Sequence, residues 1–203
     1  MVTLIIYHAN PHREETSFAG LPLIDQHAPF TWPTCNACHL PMQHLGKIAT
    51  DLGYEQLFMC QNDPGVCSEW DADMGANCVI ITPSSDSLML LSPPDSGEAL
   101  RQGNPYGTRL VTIDAENYSD AIRLWKKDNN TDSARLVLGQ LYGEPEWLQN
   151  DETPTCNHCK KTMRFVAQLE AGPDYKTEMN FGGGCAYVFD CGCKNPAKFL
   201  WQC

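Results

Sequence analysis

The sequence predicts an α+β fold with two pseudo-symmetric, mostly antiparallel sheet units, each carrying a four-cysteine site of the zinc-ribbon type. The first observation is a repeated phrase: WPTCNACHLPM begins at Trp32, and TPTCNHCKKTM begins at Thr153, 121 residues later. The second is a mixture of segments typical of strands with one segment typical of a short helix. The repeated phrase indicates two related structural units. The mixture of strand and helix segments indicates that their fold class is α+β.

The repeated phrase belongs to a longer internal match. Each copy runs Gly-x-Pro, then Cys-x-x-Cys, then a Met four residues later, then an aromatic-rich strand that ends on another cysteine. The Cys-x-x-Cys pairs are Cys35 with Cys38 and Cys156 with Cys159. Several landmarks in the same order are the signature of a duplication, and two copies suggest a pseudo-symmetric pair.

The segment SPPDSGEALRQGNPYG divides the copies. Its density of Pro, Gly and Ser marks a turn-rich connection, so the predicted organisation is a first repeat unit at 1–91, a linker at 92–107 and a second unit at 108–203. After the linker, TRLVTID and ARLVLGQLY are typical of strands. Between them we expect a helix with Ser119 as its N-cap, continuing to about Lys127.

Composition limits the possible ligands and location. The 203 residues are 42% hydrophobic, which is enough for a core. No apolar run reaches the ~20 residues of a membrane span, and the first residues have no leader features, so we expect a cytoplasmic protein. The formal charge of −11 argues against nucleic acid and favours a basic partner. A monomer is favoured, although the sequence leaves the oligomeric state open.

Eleven cysteines without a secretion signal are more typical of metal ligands than of disulfides. In the first half, Cys35 and Cys38 form one arm of a zinc site, because a two-residue spacer lets both sulfurs reach one ion. Cys60 and Cys67 flank QNDPGV, whose composition favours a tight reversal that brings them together. These four residues are the predicted first site.

The second site begins with Cys156 and Cys159, and its other ligands come from Cys185, Cys191, Cys193 and Cys203. If CAYVFDC and AKFLWQC form a hairpin, Cys203 lies beside Cys185, away from the turn that carries Cys191 and Cys193. The predicted set is therefore Cys156, Cys159, Cys191 and Cys193, with replacement by Cys185 or Cys203 left open. Cys78, Cys185 and Cys203 are assigned to the core.

The two predicted sites indicate two structural Zn²⁺ ions and no catalytic metal, because four thiolates leave no open coordination position. The motifs of serine hydrolases, metalloproteases and phosphate-binding loops are absent from the sequence. We therefore expect a protein that is not an enzyme, and a hydrolase with an unrecognised site is the remaining alternative.

Charge is unevenly distributed along the chain. From Ile48 to Leu100 there are nine acids and no Lys or Arg. A field of one sign steers an oppositely charged partner, although a merely solvated face would have the same composition. The predicted partner-binding residues cluster around the first zinc turn: Asp63, Glu69, Asp71 and Asp73.

The repeated Gly-x-Pro, the two cysteine phrases, FGGGCAYVFDC and AKFLWQC resemble the YwqG-like bacterial family of domains of unknown function. The resemblance implies an α+β fold with antiparallel sheet. Some members of that family look like immunity proteins encoded beside toxins of contact-dependent or type VI secretion systems. The resemblance thus implies an immunity protein that binds a cognate toxin, with a basic nuclease as the expected toxin. The alternative is a housekeeping or scaffolding zinc-ribbon protein without a toxin partner.

Overall fold

The computed structural model describes residues 1–94, 104–173, 179–193 and 196–203. Within these ranges the chain forms twelve strands and one helix. In chain order they are β1 (Val2–His8), β2 (Ser17–Phe18), β3 (Leu23–Asp25), β4 (Gln43–Thr50), β5 (Gly53–Met59), β6 (Asn77–Thr82), β7 (Leu88–Leu90), β8 (Tyr106–Ile113), α1 (Tyr118–Asp128), β9 (Val137–Leu141), β10 (Arg164–Glu170), β11 (Cys185–Asp190) and β12 (Ala197–Gln202).

Ten of the strands form one antiparallel sheet in the order β12-β11-β10-β9-β1-β8-β2-β4-β5-β6, and β3 pairs with β7 separately. The sheet curls until its edge strands, β6 and β12, approach each other and nearly close it. Beside this gap, the Trp201 amide donates to the carbonyl of Trp70 at 3.2 Å.

The predicted α+β class is wrong, because the described chain is mostly β with a single short helix. The strand, helix and strand pattern after the linker is present, but β8 and β9 do not pair with each other. Each pairs with β1 instead, on opposite sides. Local sequence signals identify segments, whereas the strand partners depend on contacts between distant residues.

The two predicted sheet units are likewise one continuous sheet. The first strand of each sequence repeat pairs beyond its own half: β1 lies beside β9, and β8 lies beside β2. The pair formed by β1 and β8 joins the halves at the centre, with Val2 opposite Ile113 and His8 opposite Gly107. Most of the predicted linker falls at residues 95–103, outside the described residues, so the domain boundaries stay a prediction.

The helix packs on the outer face of the central strands. Leu4 and Ile6 of β1 point to a cluster with Tyr118 and Trp125 of α1, while Ile5 points to the main core inside the curled sheet. A strand buried on both faces explains the continuous apolar run at the start of the sequence. None of the helices in the described residues has the length and apolar character needed to cross a membrane.

The N-cap of α1 is Asn117 and not the predicted Ser119. The Asn117 side chain accepts a hydrogen bond from the Asp120 amide at 2.8 Å, which satisfies one of the free donors of the first turn. Ser119 lies inside the helix, where its amide and hydroxyl both donate to the carboxylate of Glu146. Asn and Ser are comparable N-caps, so the sequence alone did not decide between them.

Candidate metal centres

The first Cys-x-x-Cys lies on a tight turn that leads into β4. The His39 amide donates to the Cys35 carbonyl at 2.9 Å, and the Cys35 amide donates to the Leu40 carbonyl at 3.0 Å. His39 has a positive φ of 59°, which closes the turn. A single bridge between Thr34 and Pro41 then holds the base of the turn. The backbone thus presents both cysteines to the same side.

The second Cys-x-x-Cys repeats this geometry before β10. The Lys160 amide donates to the Cys156 carbonyl at 2.9 Å, and the Cys156 amide donates to the Lys161 carbonyl at 2.8 Å. Lys160 has a φ of 62°, and Thr155 bridges to Thr162. The match in hydrogen bonds and backbone angles shows that the repeated phrase encodes the same local structure twice.

Cys60 and Cys67 complete the first group. Cys60 directly follows β5, and its amide donates to the Ala76 carbonyl at 2.8 Å. Cys67 lies in the loop of residues 61–75, called the metal loop below. The four sulfur atoms of Cys35, Cys38, Cys60 and Cys67 all lie within 4.8 Å of one another. This is the set predicted for the first site.

Cys191 and Cys193 complete the second group, after the end of β11. The sulfur atoms of Cys156, Cys159, Cys191 and Cys193 also lie within 4.8 Å of one another. The expected hairpin forms: Cys185 of β11 is opposite Gln202 of β12, at the end away from the turn. Cys185 is buried, whereas Cys203 is exposed, which corrects its assignment to the core.

The sulfur separations fit a metal site better than disulfides. In the first group the Cys38 and Cys60 sulfurs are 3.7 Å apart, and in the second the Cys159 and Cys191 sulfurs are 3.5 Å apart. A disulfide bond is ~2.05 Å long, whereas thiolates around a tetrahedral zinc ion are roughly 3.8 Å apart. All eleven cysteines are free thiols. Each group can therefore hold one metal ion through four sulfurs.

Polar neighbours support the sulfurs. The Asn62 side-chain amide faces the sulfurs of Cys60, at 3.4 Å, and Cys38, at 3.7 Å. In the second group, backbone hydrogen bonds, first from Cys159 and then from His158, lower the pKa of the Cys156 thiol to about 6. Donors of this kind orient sulfur ligands and favour their thiolate form. The sequence did not lead us to predict a role for Asn62. Its position two residues after Cys60 places its side chain close to a predicted ligand and could have indicated that role.

Lys198 connects the two groups. This side chain, only 10% exposed, lies on β12, and its ammonium donates to Asp73 of the metal loop at 2.6 Å. It also donates to the Thr155 carbonyl at 3.1 Å and to Asn157 at 3.2 Å, both in the second turn. The metal loop is thereby attached to the second metal group across the gap between β6 and β12. The presence of a lysine within the otherwise mostly apolar segment AKFLWQ could have indicated that its side chain has a specific partner.

The acids predicted to bind a partner have different environments. Asp63 and Asp71 are exposed on the metal loop. Glu69 is buried, and one of its carboxylate oxygens accepts a hydrogen bond from the Gly65 amide. Asp73 is exposed, and hydrogen bonding to Lys198 lowers its pKa below the usual range. Of these four acids, only Asp63 and Asp71 are exposed and form no salt bridge with another described residue.

The metal loop also exposes apolar side chains that the sequence analysis did not single out. Val66 is 67% exposed, Trp70 is 42% exposed and Met74 is 56% exposed. They lie within a stretch of nine residues that overlaps the acids just described, and Met74 directly follows Asp73. Exposed apolar groups in a cluster are typical of interaction surfaces.

A group of charges, two of them buried and two exposed, lies near the start of β10. Arg164 donates to Asp190 at 2.8 and 2.6 Å, and to Asp51 at 2.8 Å. Glu55 is fully buried beside Asp190. Burial, with the negative charge of Asp190, raises the pKa of Glu55 to about 8. Glu55 is therefore mostly protonated at neutral pH. No catalytic geometry follows from this group, which we interpret as structural.

No protein-family model matches the chain. The chain is 33% identical over 105 residues to the protein named "Uncharacterized protein YpfL" from Salmonella typhimurium strain LT2. The match covers 46% of this chain and 24% of that protein, so the chain matches about a quarter of the relative's length. The similarity indicates that the matched region is related to part of that protein. The name of that protein states no activity.

Proposed function

We propose that the protein is a binding protein without catalytic activity, whose metal loop is held in place by structural zinc. The observation that carries this proposal is the pair of closed four-sulfur groups. Four protein sulfurs complete a tetrahedral coordination shell, which leaves no position for a substrate or a reactive water. Zinc fits because all eight candidate ligands are thiols and each group includes one Cys-x-x-Cys turn, the arrangement of structural zinc sites.

Purified, tag-free protein is expected to contain two zinc ions per chain. Elemental analysis by mass spectrometry measures the zinc content, and absorption spectra test for iron–sulfur clusters, which four thiolates also hold. The Cys60→Ser variant is expected to retain about one zinc, since only one group loses a ligand. Less than half an equivalent of any transition metal, or iron in place of zinc, would overturn the zinc assignment.

The surface that we propose for partner binding is the metal loop. Val66, Trp70 and Met74 provide an apolar centre, and Asp63 and Asp71 provide negative charge at its side. Interfaces commonly combine a desolvated apolar centre with a polar rim. The net charge of −11 indicates a basic partner. Two attachments limit the loop's motion at that surface, the first metal group and the ion pair between Asp73 and Lys198.

We propose further that this partner is a cognate secreted bacterial toxin, and that the protein acts as its immunity factor. The resemblance to YwqG-like domains supports the proposal, and the acidic metal loop suits a basic nuclease by imitating nucleic-acid phosphates. Binding would cover the active site or the substrate surface of the toxin. A pull-down from the native host tests this: recovery of a stoichiometric basic toxin supports it. Recovery of another protein, or an isolated gene without a neighbouring toxin, favours the scaffolding alternative.

The exposed acids of the metal loop are expected to control the rate of partner association. Asp63→Lys with Asp71→Lys should slow association with the recovered partner several-fold at low salt, because rim charges steer encounter. The deficit should shrink at 1 M salt, where the Debye length is ~3 Å instead of ~10 Å at 0.1 M. Surface plasmon resonance measures both rates.

The matched control for this charge reversal is Asp114→Lys with Glu116→Lys, two exposed acids outside the metal loop. It makes the same change in net charge and is expected to alter association much less. Equal effects of the two double variants, both folded and zinc-loaded, would show that only the net charge matters. Such a result would mean that the metal loop is not part of the interface.

A further inference from the structure

A cavity of about 560 Å³ lies on the first half of the fold, away from both metal groups. Its walls come from the segment before β2, from the β2 to β3 connection, from β4 and from β7. Its volume falls within the range of small-molecule binding sites, roughly 300 to 1,000 Å³. Neither the partner surface nor the metal centres use these residues.

One side of the cavity is apolar. Leu21, Leu23, Leu88, Met89 and Leu90 line it. Leu23 is fully buried, whereas Met89 and Leu90 of β7 are 43% and 56% exposed. This wall therefore continues from the core to the surface, as expected for a site that accommodates an apolar tail entering from solvent.

Another part of the lining is basic, which is unusual in this acidic protein. His12, Arg13 and Lys47 line it, and the described lining contains no Asp or Glu. The chain has 14 Lys and Arg against 25 Asp and Glu, so two of its few basic residues meet at one cavity. Such an arrangement concentrates positive potential locally despite the negative net charge.

Lys47 is the most buried of the three basic residues that line the cavity. It is only 5% exposed, and its ammonium donates to the Glu15 carbonyl and lies 5.3 Å from the centre of the Tyr54 ring. Among the described residues, Lys47 forms no salt bridge with a carboxylate. A lysine ammonium has three donors, so two remain after the bond to Glu15. Buried charges are normally paired in direct contact, whereas the Glu15 carboxylate acts on Lys47 only from beyond salt-bridge distance.

We propose that the cavity binds a small amphipathic carboxylate, with the carboxylate on Lys47 and Arg13 and the apolar body along Leu23 and Leu90. The ligand supplies a carboxylate in direct contact with Lys47, which Glu15 does not provide. Charge selects an anion, and the apolar wall selects a ligand with a hydrocarbon or aromatic body over a small inorganic anion. The proposal is independent of zinc binding and of the partner surface.

Isothermal titration of the zinc-loaded full chain with decanoate, below its micelle concentration, tests the proposal. We expect saturable binding of one decanoate per chain. Decyltrimethylammonium has the same tail and the opposite charge, and acetate has the carboxylate without the tail. Each is expected to bind at least about tenfold more weakly. No saturable binding of decanoate, or equal binding of decyltrimethylammonium, would overturn the proposal.

Two variants locate the binding. Lys47→Met keeps the apolar stem and removes the charge, so the affinity for decanoate should fall about tenfold. Leu90→Asp changes an exposed position with little risk to folding and should reduce the affinity by a similar factor. Leu110→Asp, at a 53%-exposed leucine of β8 outside the cavity lining, is the matched control and should leave it unchanged. If Leu90→Asp and Leu110→Asp bind decanoate equally well, the cavity is not the site.

Discussion

Replacing Cys60 by serine is expected to lower the melting temperature by about 10 °C or more. The substitution removes one of four ligands from the first metal group, and metal coordination contributes directly to the free energy of folding. Loss of a structural metal belongs to the few changes that cost roughly 4 kcal/mol or more. In a chain of this size, 1 kcal/mol corresponds to about 2–4 °C. Calorimetry measures the shift, and zinc analysis of the same sample measures the lost ion.

Cys78→Ser is the matched control for this experiment. Cys78 lies on β6, opposite Phe58 of the neighbouring strand, and packs against the first metal group without belonging to it. The same atomic change there replaces one partly buried thiol, for which we expect a loss of about 1 kcal/mol. Equal melting temperatures for the two variants would contradict a metal-dependent fold at Cys60.

Replacing Glu55 by glutamine is expected to remove a loss of stability that the native protein suffers as the pH rises from about 4.5 to about 8. The pKa of Glu55 rises from an ordinary value of 4.5 to about 8 on folding, because of burial and the neighbouring Asp190. In this range the unfolded chain has already lost the proton that the folded chain keeps. The free energy of unfolding therefore decreases as pH rises, and the decrease ends above pH 8.

The expected decrease between pH 6.5 and 8 is about 2 kcal/mol, at roughly 1.4 kcal/mol per pH unit. Urea unfolding at several pH values measures it. Glu55→Gln removes the titrating group and resembles protonated Glu55, so this decrease should disappear. The variant should match the native protein near pH 4.5 and be the more stable of the two at pH 6.5 and above. Glu14→Gln, at an exposed position, controls for the loss of one acidic side chain. Parallel profiles of the native protein and Glu55→Gln would show that Glu55 is not the titrating group.

The cysteine groups were predictable because the spacing of ligands along the chain largely determines a metal turn. Cys35 and Cys38 reach one ion through local backbone geometry alone. The choice of Cys191 and Cys193 over Cys185 and Cys203 required one further step, the pairing of a hairpin. Hairpin pairing is also local, so its register could be reasoned from the turn.

The fold class was not predictable by the same reasoning. The partners of β1 begin at Tyr106 and Val137, far away in the chain, and no local signal specifies such pairing. Which charged side chains are buried could not be predicted from the sequence either. Glu69 and Asp71 have similar sequence surroundings, but the structure buries Glu69 and exposes Asp71. That difference arises from how the metal loop folds back on itself.

The central position of β1 has a consequence for synthesis on the ribosome. This apolar strand is made before its two partners, β8 and β9, which end at Ile113 and Leu141. At about 5–20 residues per second, the nascent chain carries an unpaired VTLIIYH segment for roughly ten seconds or more. An unpaired segment rich in β-branched residues is prone to self-association. Early chaperone cover of this strand should therefore determine how much of this protein reaches its folded state.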